Sequence, residues 1–460
     1  MEKKNYFDVI VCGGGPSGVA TAISAGRLGC KTLLIERYGF CGGMSTAALV
    51  NPFSGHEYTD PSSGKNGSLI GGIFKDVVLE LSKFGGYGSV LSPAAFDEEL
   101  LKHVYDKMLQ DAGVHVQYHT YLNAVQVTDG VIESIEVFSK SGAQTLYGTS
   151  FVDCSGDADL AALAGVEFNV GRPSDGLTQA MTVSFRMANV DKREMQETRN
   201  LRKARHLVEP YFQQALSSGS LHYPYRPFIH FYDYPRPGVL HFNMTRINKV
   251  SGLSVEDLSM AEAEGRRQAF LIGQWLIDNV PFFSEAYVEK VACQVGVRET
   301  RHIVGEYTIS RDDILNAAKF EDGIARSRYF IDIHNPTGAK DIQQKEGESG
   351  ALDHSFGPPP GDFYEVPFRS LISNKCKNLL VACRALSATH EASAAVRVMA
   401  TMHGIGQAAG IAAAKAKEDE ISISEVSGCW LRENIEYMNQ GPDFAEPWTA
   451  ENGFPWTVKP

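Results

Sequence analysis

Three glycines near the N-terminus are spaced to hold a phosphate. Gly13-Gly14-Gly15-Pro16-Ser17-Gly18 has the form G-x-G-x-x-G. In such a loop Gly13 allows a tight turn and Gly15 lets backbone N–H groups approach a pyrophosphate. Gly18 permits a helix to pack closely on a strand. An acid, Glu36, stands 23 residues after Gly13 at the end of the next apolar run, where a carboxylate can accept ribose hydroxyls. Pro16 and Ser17 complete the loop, and Arg37 follows the acid.

A second, scattered set could handle electrons and protons above such a seat. Arg298 or Arg369 could grip a carboxylate or polar oxygen through two parallel hydrogen bonds. His56, His302, His334 or His390 could take a proton as hydride leaves a substrate. Cys41 lies close behind Glu36 but has no C-x-x-C partner, so it reads as a packing residue. None of the eight cysteines shows zinc spacing, and the set reads as reduced thiols. No metal site is expected.

The elements needed to position these groups are legible in outline. Residues 6–12 form an apolar run typical of a buried parallel strand. An alanine-rich helix follows to about Arg27, with Gly29 behind it, and Lys31–Ile35 makes a second strand. This is a βαβ unit. A helix is expected over 93–112, capped by Ser92 with Pro93 in its first turn. Strands are expected at 114–119, 124–127 and 131–138, the last two joined by an Asp129-Gly130 turn. Thr149–Cys154 returns as a strand into Ser155-Gly156-Asp157. From about 170 to 365 the chain turns aromatic and proline-rich. It carries one long amphipathic helix over 254–279, for which Ser254 and Asp257 suggest a capping box. After Phe368 the first pattern resumes with a strand at 378–382 and a small-residue helix over 394–417. The tail from Arg432, with Trp448 and Trp456, shows no usable pattern.

The expected fold class is therefore α/β: a Rossmann-type dinucleotide-binding domain with an antiparallel β-meander, plus an inserted α+β substrate (cap) domain. The first domain is read as discontinuous, over 1–168 and 366–425. The insert spans 169–365, and 426–460 is a C-terminal extension. A formal net charge of −12 argues against nucleic acid and anionic lipid as partners. No apolar run approaches the length of a membrane span, and the run Phe7–Cys12 is too short for a signal segment. A cytoplasmic protein acting on a small molecule is expected.

The βαβ unit could serve NAD or FAD. The second glycine loop, Cys41-Gly42-Gly43-Met44-Ser45-Thr46, and the meander downstream favour the longer cofactor, FAD. No second G-x-G-x-x-G stands between a strand and a helix, so a bound nicotinamide is not expected.

With these segments in place the chain resembles the FAD-dependent oxidoreductases related to the flavoprotein subunits of fumarate reductase and succinate dehydrogenase. The resemblance rests on residues 9–18, 41–46 and 151–159, on Gly296-Val-Arg-Glu-Thr-Arg-His302 and Asp332-Ile-His-Asn-Pro336, and on residues 366–369 and 378–391. It implies FAD, and the absence of histidine from 36–46 suggests non-covalent binding. It assigns the pyrophosphate to Gly13, Gly15, Pro16, Ser17 and Gly18, and the adenosine ribose to Glu36 and Arg37. Leu122 would offer its backbone to the adenine. Gly42, Gly43, Met44, Ser45 and Thr46 would follow the ribityl chain and ring, with Ser155, Gly156, Asp157 and Arg384 nearby. Arg397, Val398 and Met399 would bring a helix N-terminus to the flavin. Where the family has Gly-Arg this chain has Cys383-Arg384, a strained choice if the turn needs positive φ. The implied activity is a dehydrogenase or reductase moving hydride between FAD and a small polar or carboxylate-bearing substrate, with an unidentified electron donor or acceptor. A monooxygenase or oxidase of the same fold is the alternative. A flavoprotein acting on RNA, or a docking module, ranks below both.

Overall fold

The computed structural model describes residues 5–337 and 356–445. It opens with strand β1 (Tyr6–Cys12), helix α1 (Pro16–Arg27) and strand β2 (Thr32–Ile35). β1 and β2 pair in parallel, with Val9 opposite Thr32 and Cys12 opposite Ile35. All of β2 is buried, which suits a parallel strand covered on both faces.

Helix α2 covers Glu98–Asp111, five residues shorter at its start than expected. The Asp97 carboxylate accepts from the N–H groups of Glu99 and Leu100 and so caps the helix there. Ser92 is committed elsewhere, since its hydroxyl accepts from the Asp233 N–H. After α2, strand β3 (His115–Gln117) joins the free edge of β2.

β4 (Tyr121–Thr128) and β5 (Val131–Ser139) form the expected hairpin. Asp129 and Gly130 both take positive φ, 50° and 76°, as a type I′ turn requires. Strand β6 (Gly142–Asp153) is longer than the sequence suggested and does two jobs. Its first half runs antiparallel to β5, and its second half runs parallel to β1. The meander and the parallel strands are thus one continuous sheet.

The stretch read as an insert builds a separate four-stranded antiparallel sheet from β7 (Phe185–Ala188), β8 (Phe231–Asp233), β9 (Leu240–Phe242) and β10 (Tyr287–Val291), in the order β8-β9-β7-β10. Helix α3 (Val255–Asn279) precedes β10 and shares a hydrophobic core with this sheet through Ala269, Ile272, Trp275 and Leu276. The Ser254 hydroxyl accepts from the Asp257 N–H. The Asp257 carboxylate takes the Ser251 N–H rather than that of Ser254, so the capping box stays open. The chain returns to the larger core well before residue 366. Ile309, Ile314, Ile324 and Ile331 pack there, and Arg301–Ile303 pairs with Phe168–Val170.

β11 (Leu379–Val381) lies parallel to the end of β6. The helix expected over 394–417 is two helices, α4 (His390–Val396) and α5 (Met399–Asp419), broken at Arg397-Val398. The small residues of α5 face a backbone. A Cβ on Gly406 would come within 2.1 Å of the Ser17 carbonyl oxygen, and one on Gly410 within 2.5 Å of that of Thr21. Only glycine lets α5 cross α1 this closely. Gly428–Asn434 and Glu436–Asn439 are helical and bury Leu431 and Met438. Trp448 and Trp456 lie outside the described residues. Among the described residues no helix is long and apolar enough to cross a membrane.

Candidate active-site cleft

One cleft holds about 1460 Å³ of empty space, its open mouth included, and runs from the N-terminus of α1 to the sheet β8-β9-β7-β10. It begins at the glycine loop. Gly13 has φ +104°, and a Cβ there would strike the Cys154 carbonyl oxygen at 2.4 Å. Gly18 is closed off by the Gly13 carbonyl oxygen, which a Cβ would meet at 1.8 Å, so this glycine serves packing. Gly15 faces open space and is the N-cap of α1 with no side chain satisfying the first N–H groups. An anion there meets free donors and the positive end of a helix dipole.

Glu36 lies beside this end and is buried. Its two oxygens accept from the N–H of Gly14 at 2.7 Å and of Tyr38 at 2.9 Å. Burial raises its pKa against those two bonds. Arg37 lines the cleft and bonds Gln294 at 2.9 Å.

The second glycine loop folds against the first. The Gly42 N–H bonds the Gly14 carbonyl, and a Cβ on Gly43 would reach the Gly15 Cα at 3.0 Å. Gly43 and Met44 line the cleft. Ser45 and Thr46 turn their hydroxyls onto the loop itself, Ser45 to the Gly42 carbonyl at 2.6 Å and Thr46 to that of Cys41 at 2.9 Å. Ser155, Gly156 and Arg384 also line the cleft. Asp157 stands behind them and takes bonds from Thr300 at 2.7 Å and Arg384 at 2.5 Å. Cys383 is buried without positive φ, so the departure from Gly-Arg carries no strain. Leu122 sits on β4 opposite Val137 and is absent from the cleft lining.

The helix break at Arg397-Val398 aims a second positive end at the same space. Val398 caps α5 without a side-chain bond, and Arg397, Val398 and Met399 all line the cleft. These features suit an elongated dinucleotide: two uncapped helix N-termini, a glycine approach at Gly13 and Gly15, and a buried acid at the end of β2.

The polar groups proposed for chemistry separate into two sets. Arg298 and His334 line the cleft together with Arg397, Asp332 and Tyr329. Arg298 donates to the Ala180 carbonyl at 2.5 Å. Burial and then the neighbouring Arg397 pull its pKa down to about 9. Asp332 accepts from the Tyr329 hydroxyl at 3.2 Å, lies 3.3 Å from His334 Nε2 and 3.9 Å from Arg397. Burial opposes its charge, but His334, Arg397 and Arg298 hold its pKa far below the carboxylate range. Arg246 reaches His334 Nδ1 at 3.2 Å. Arginine only donates, so Nδ1 accepts and Nε2 carries the hydrogen towards Asp332. Burial, then Arg298, lowers the His334 pKa to about 3. His334 is a neutral ring with both nitrogens engaged, and presents no free lone pair for a proton.

His302, His390, Arg369 and His56 are placed elsewhere. His302 Nε2 and His390 Nδ1 share one oxygen of the buried Glu299, at 3.1 and 2.7 Å. The other Glu299 oxygen accepts from the Gln179 N–H at 2.9 Å. Arg369 is half exposed and forms a two-bond pair with Asp322. His56 is packed on Phe74 and bonds Ser68 at 3.2 Å. Nothing beside His390 or Arg369 in the sequence warns that its partner is an acid far along the chain, whereas the acid of His302 lies three residues before it. Asp332 escaped notice too, although the Asp332-Ile-His334 spacing puts both polar side chains on one side of an extended segment.

Residues 8–435 match the family described as FAD dependent oxidoreductase. No curated protein sequence matches the chain significantly. Among solved structures, it is similar to a geranylgeranyl bacteriochlorophyll reductase-like protein from Thermoplasma acidophilum, at 13% identity over 96% of this chain and 93% of that one, with TM-score 0.42. It is also similar to the p-nitrophenol 4-monooxygenase PnpA from Pseudomonas putida DLL-E4, at 11% identity over 66% and 70%, with TM-score 0.37. The family match spans both glycine loops, the Arg298–Asp332 region and the α5 N-terminus, and its cofactor is FAD. The chain belongs to the family of FAD-dependent oxidoreductases.

Proposed function

We propose that the protein moves hydride between FAD and a small carboxylate-bearing substrate, as the resemblance to fumarate reductase and succinate dehydrogenase flavoproteins suggests. The observation that carries this reading is the pair Arg298 and Arg397 on the wall of the cleft that also holds the glycine loop. FAD, when bound, supplies the hydride acceptor or donor. The pyrophosphate would lie at Gly15 and the α1 N-terminus, with Glu36 at the ribose, and the ring would lie towards Val398 and Met399.

Arg298 fits the role of carboxylate seat. Its charge is disfavoured by burial and by Arg397, and an anion between the two would relieve both costs. Asp332 keeps Arg397 and His334 oriented. His334 then has a holding role, because both ring nitrogens are engaged. Tyr329 lines the cleft and its hydroxyl is held by Asp332, so it serves to orient a bound substrate; Asp332, held far below the carboxylate range, stays charged and takes no proton from it. In this reading residues 169–300 form the cap over the flavin.

The experiment is an anaerobic screen of hydroxy- and oxo-carboxylates against their methyl esters, following loss or recovery of flavin absorbance. A free acid that reacts while its ester does not supports the reading. Reaction confined to neutral compounds would remove it. Rapid reoxidation by air after photoreduction would favour the oxygen-using alternative.

A further inference from the structure

The sheet β8-β9-β7-β10 buries Phe185, Met187, Phe231, Leu240 and Phe242 on one face. Strand periodicity puts the intervening residues on the other. Arg186 is opposite His241 in the β7–β9 register, and Tyr232 is opposite His241 in the β8–β9 register, so the three form a row across the sheet. At one end of the row Arg186 is closed off by Glu98. The rest, Tyr232 and His241, lines the cleft, as do Ser184 and Asn243 two residues along their chains.

His241 is 2% exposed, and its Nε2 has no hydrogen-bond partner among the described residues. A buried ring nitrogen without a partner is costly, and one on the wall of a roomy cleft is positioned to be satisfied by a bound molecule. Burial, with Arg186 adding to it, lowers the His241 pKa to about 3. The ring is therefore neutral near pH 7 and offers a hydrogen bond without charge. Ser184, Tyr232 and Asn243 are likewise uncharged.

We propose that His241, with Tyr232, Ser184 and Asn243, forms a second substrate subsite that takes an uncharged hydrogen-bonding group, a hydroxyl, carbonyl or amide, at the end of the substrate remote from its carboxylate. This rests on the reading of Arg298 as the carboxylate seat. The preferred substrate class is then a carboxylate with a neutral polar tail. A second carboxylate would be desolvated against the neutral His241 ring, and the neighbouring guanidiniums are already bonded, Arg186 to Glu98, Arg205 to the Phe231 carbonyl and Arg226 to the Asn243 carbonyl.

The test titrates the oxidised holoprotein, read by perturbation of the flavin absorption bands. The probes are straight-chain carboxylates of several lengths, each ending in methyl, hydroxyl or a second carboxylate. At one or more lengths the hydroxyl-ended probe binds about tenfold tighter than the methyl-ended one, and tighter than the dicarboxylate. His241→Leu abolishes that preference with FAD still bound. His241→Gln, which keeps a donor and an acceptor, retains the preference. Equal binding of methyl and hydroxyl ends at every length, tightest binding of the dicarboxylate, or loss of FAD from His241→Leu would each overturn the subsite alone. No response of the wild-type protein to any carboxylate would overturn the Arg298 seat, and this subsite with it.

Discussion

Glu98 and Arg186 form a buried ion pair that ties helix α2 to the sheet β8-β9-β7-β10. Arg186 grips the Glu98 carboxylate with both terminal nitrogens, at 2.9 and 2.8 Å, and stands over the Tyr234 ring. Tyr234 adds a bond to the same carboxylate at 2.7 Å, and Lys290 another at 3.0 Å. Glu98 belongs to the first turn of α2, and Arg186 to β7. The sheet that roofs the cleft is thus anchored by one acid next to the parallel layer. Arg186→Met leaves the buried Glu98 carboxylate with only Lys290 and Tyr234 of these three groups, so stability should fall by about 1–3 kcal/mol in denaturant unfolding. Replacing Glu98 and Arg186 together by Met should cost much less than the single change.

The crossing of α1 and α5 sets both uncapped helix ends at the cleft. Gly406→Ala puts a methyl group against the Ser17 carbonyl. The expected loss is about 1–3 kcal/mol, together with weaker FAD retention on gel filtration. Gly441→Ala is the control, since nothing lies within 4 Å of its Cβ position, and it should leave both properties unchanged.

Glu36 accepts two backbone N–H groups, and an amide can serve only one of them well. Glu36→Gln should set an NH₂ group against the N–H of Gly14 or Tyr38 and displace the glycine loop. FAD affinity, measured by quenching of flavin fluorescence, should fall by about tenfold or more. An unchanged affinity would separate Glu36 from the cofactor seat.

The Glu299 cluster gives the protein an acid limit. Burial works against the Glu299 charge, but the bonds from His302 and His390 hold its pKa down to about 2. An unfolded glutamate titrates near pH ~4.3. A depressed folded-state pKa adds stability above that value, and the contribution is lost as pH falls from about 4 towards 2. Glu299→Gln should be less stable near pH 7, with a flatter loss between those values. Thermal melts at a series of pH values read the difference.

Much of this arrangement was legible in the chain. The βαβ unit, the Asp129-Gly130 hairpin and the second glycine loop follow from short-range signals: turn chemistry, apolar runs and glycine spacing. What failed depended on distant partners. Ser92 looked like a helix cap, but the better acceptor, Asp97, lay five residues on, and Ser92 was taken by Asp233. The break before α5 sits in a run of small residues with no proline or glycine at 397–398 to mark it. His302 and His390 share an acid although they are far apart in sequence, and periodicity carries no trace of such a meeting. His241 was overlooked although polar and apolar residues alternate from Leu240 to Met244, the pattern of a strand with one face towards a cleft.

The central claim is that a carboxylate binds at Arg298 close to the flavin. The most direct measurement is an absorption titration of the oxidised holoprotein with acetate and, separately, with acetamide, in the wild type and in Arg298→Met. The expected result is a saturable shift of the flavin bands with acetate, little with acetamide, and loss of the acetate response in Arg298→Met with FAD still bound. Equal responses to the two probes, or an acetate response that survives in Arg298→Met, would contradict it.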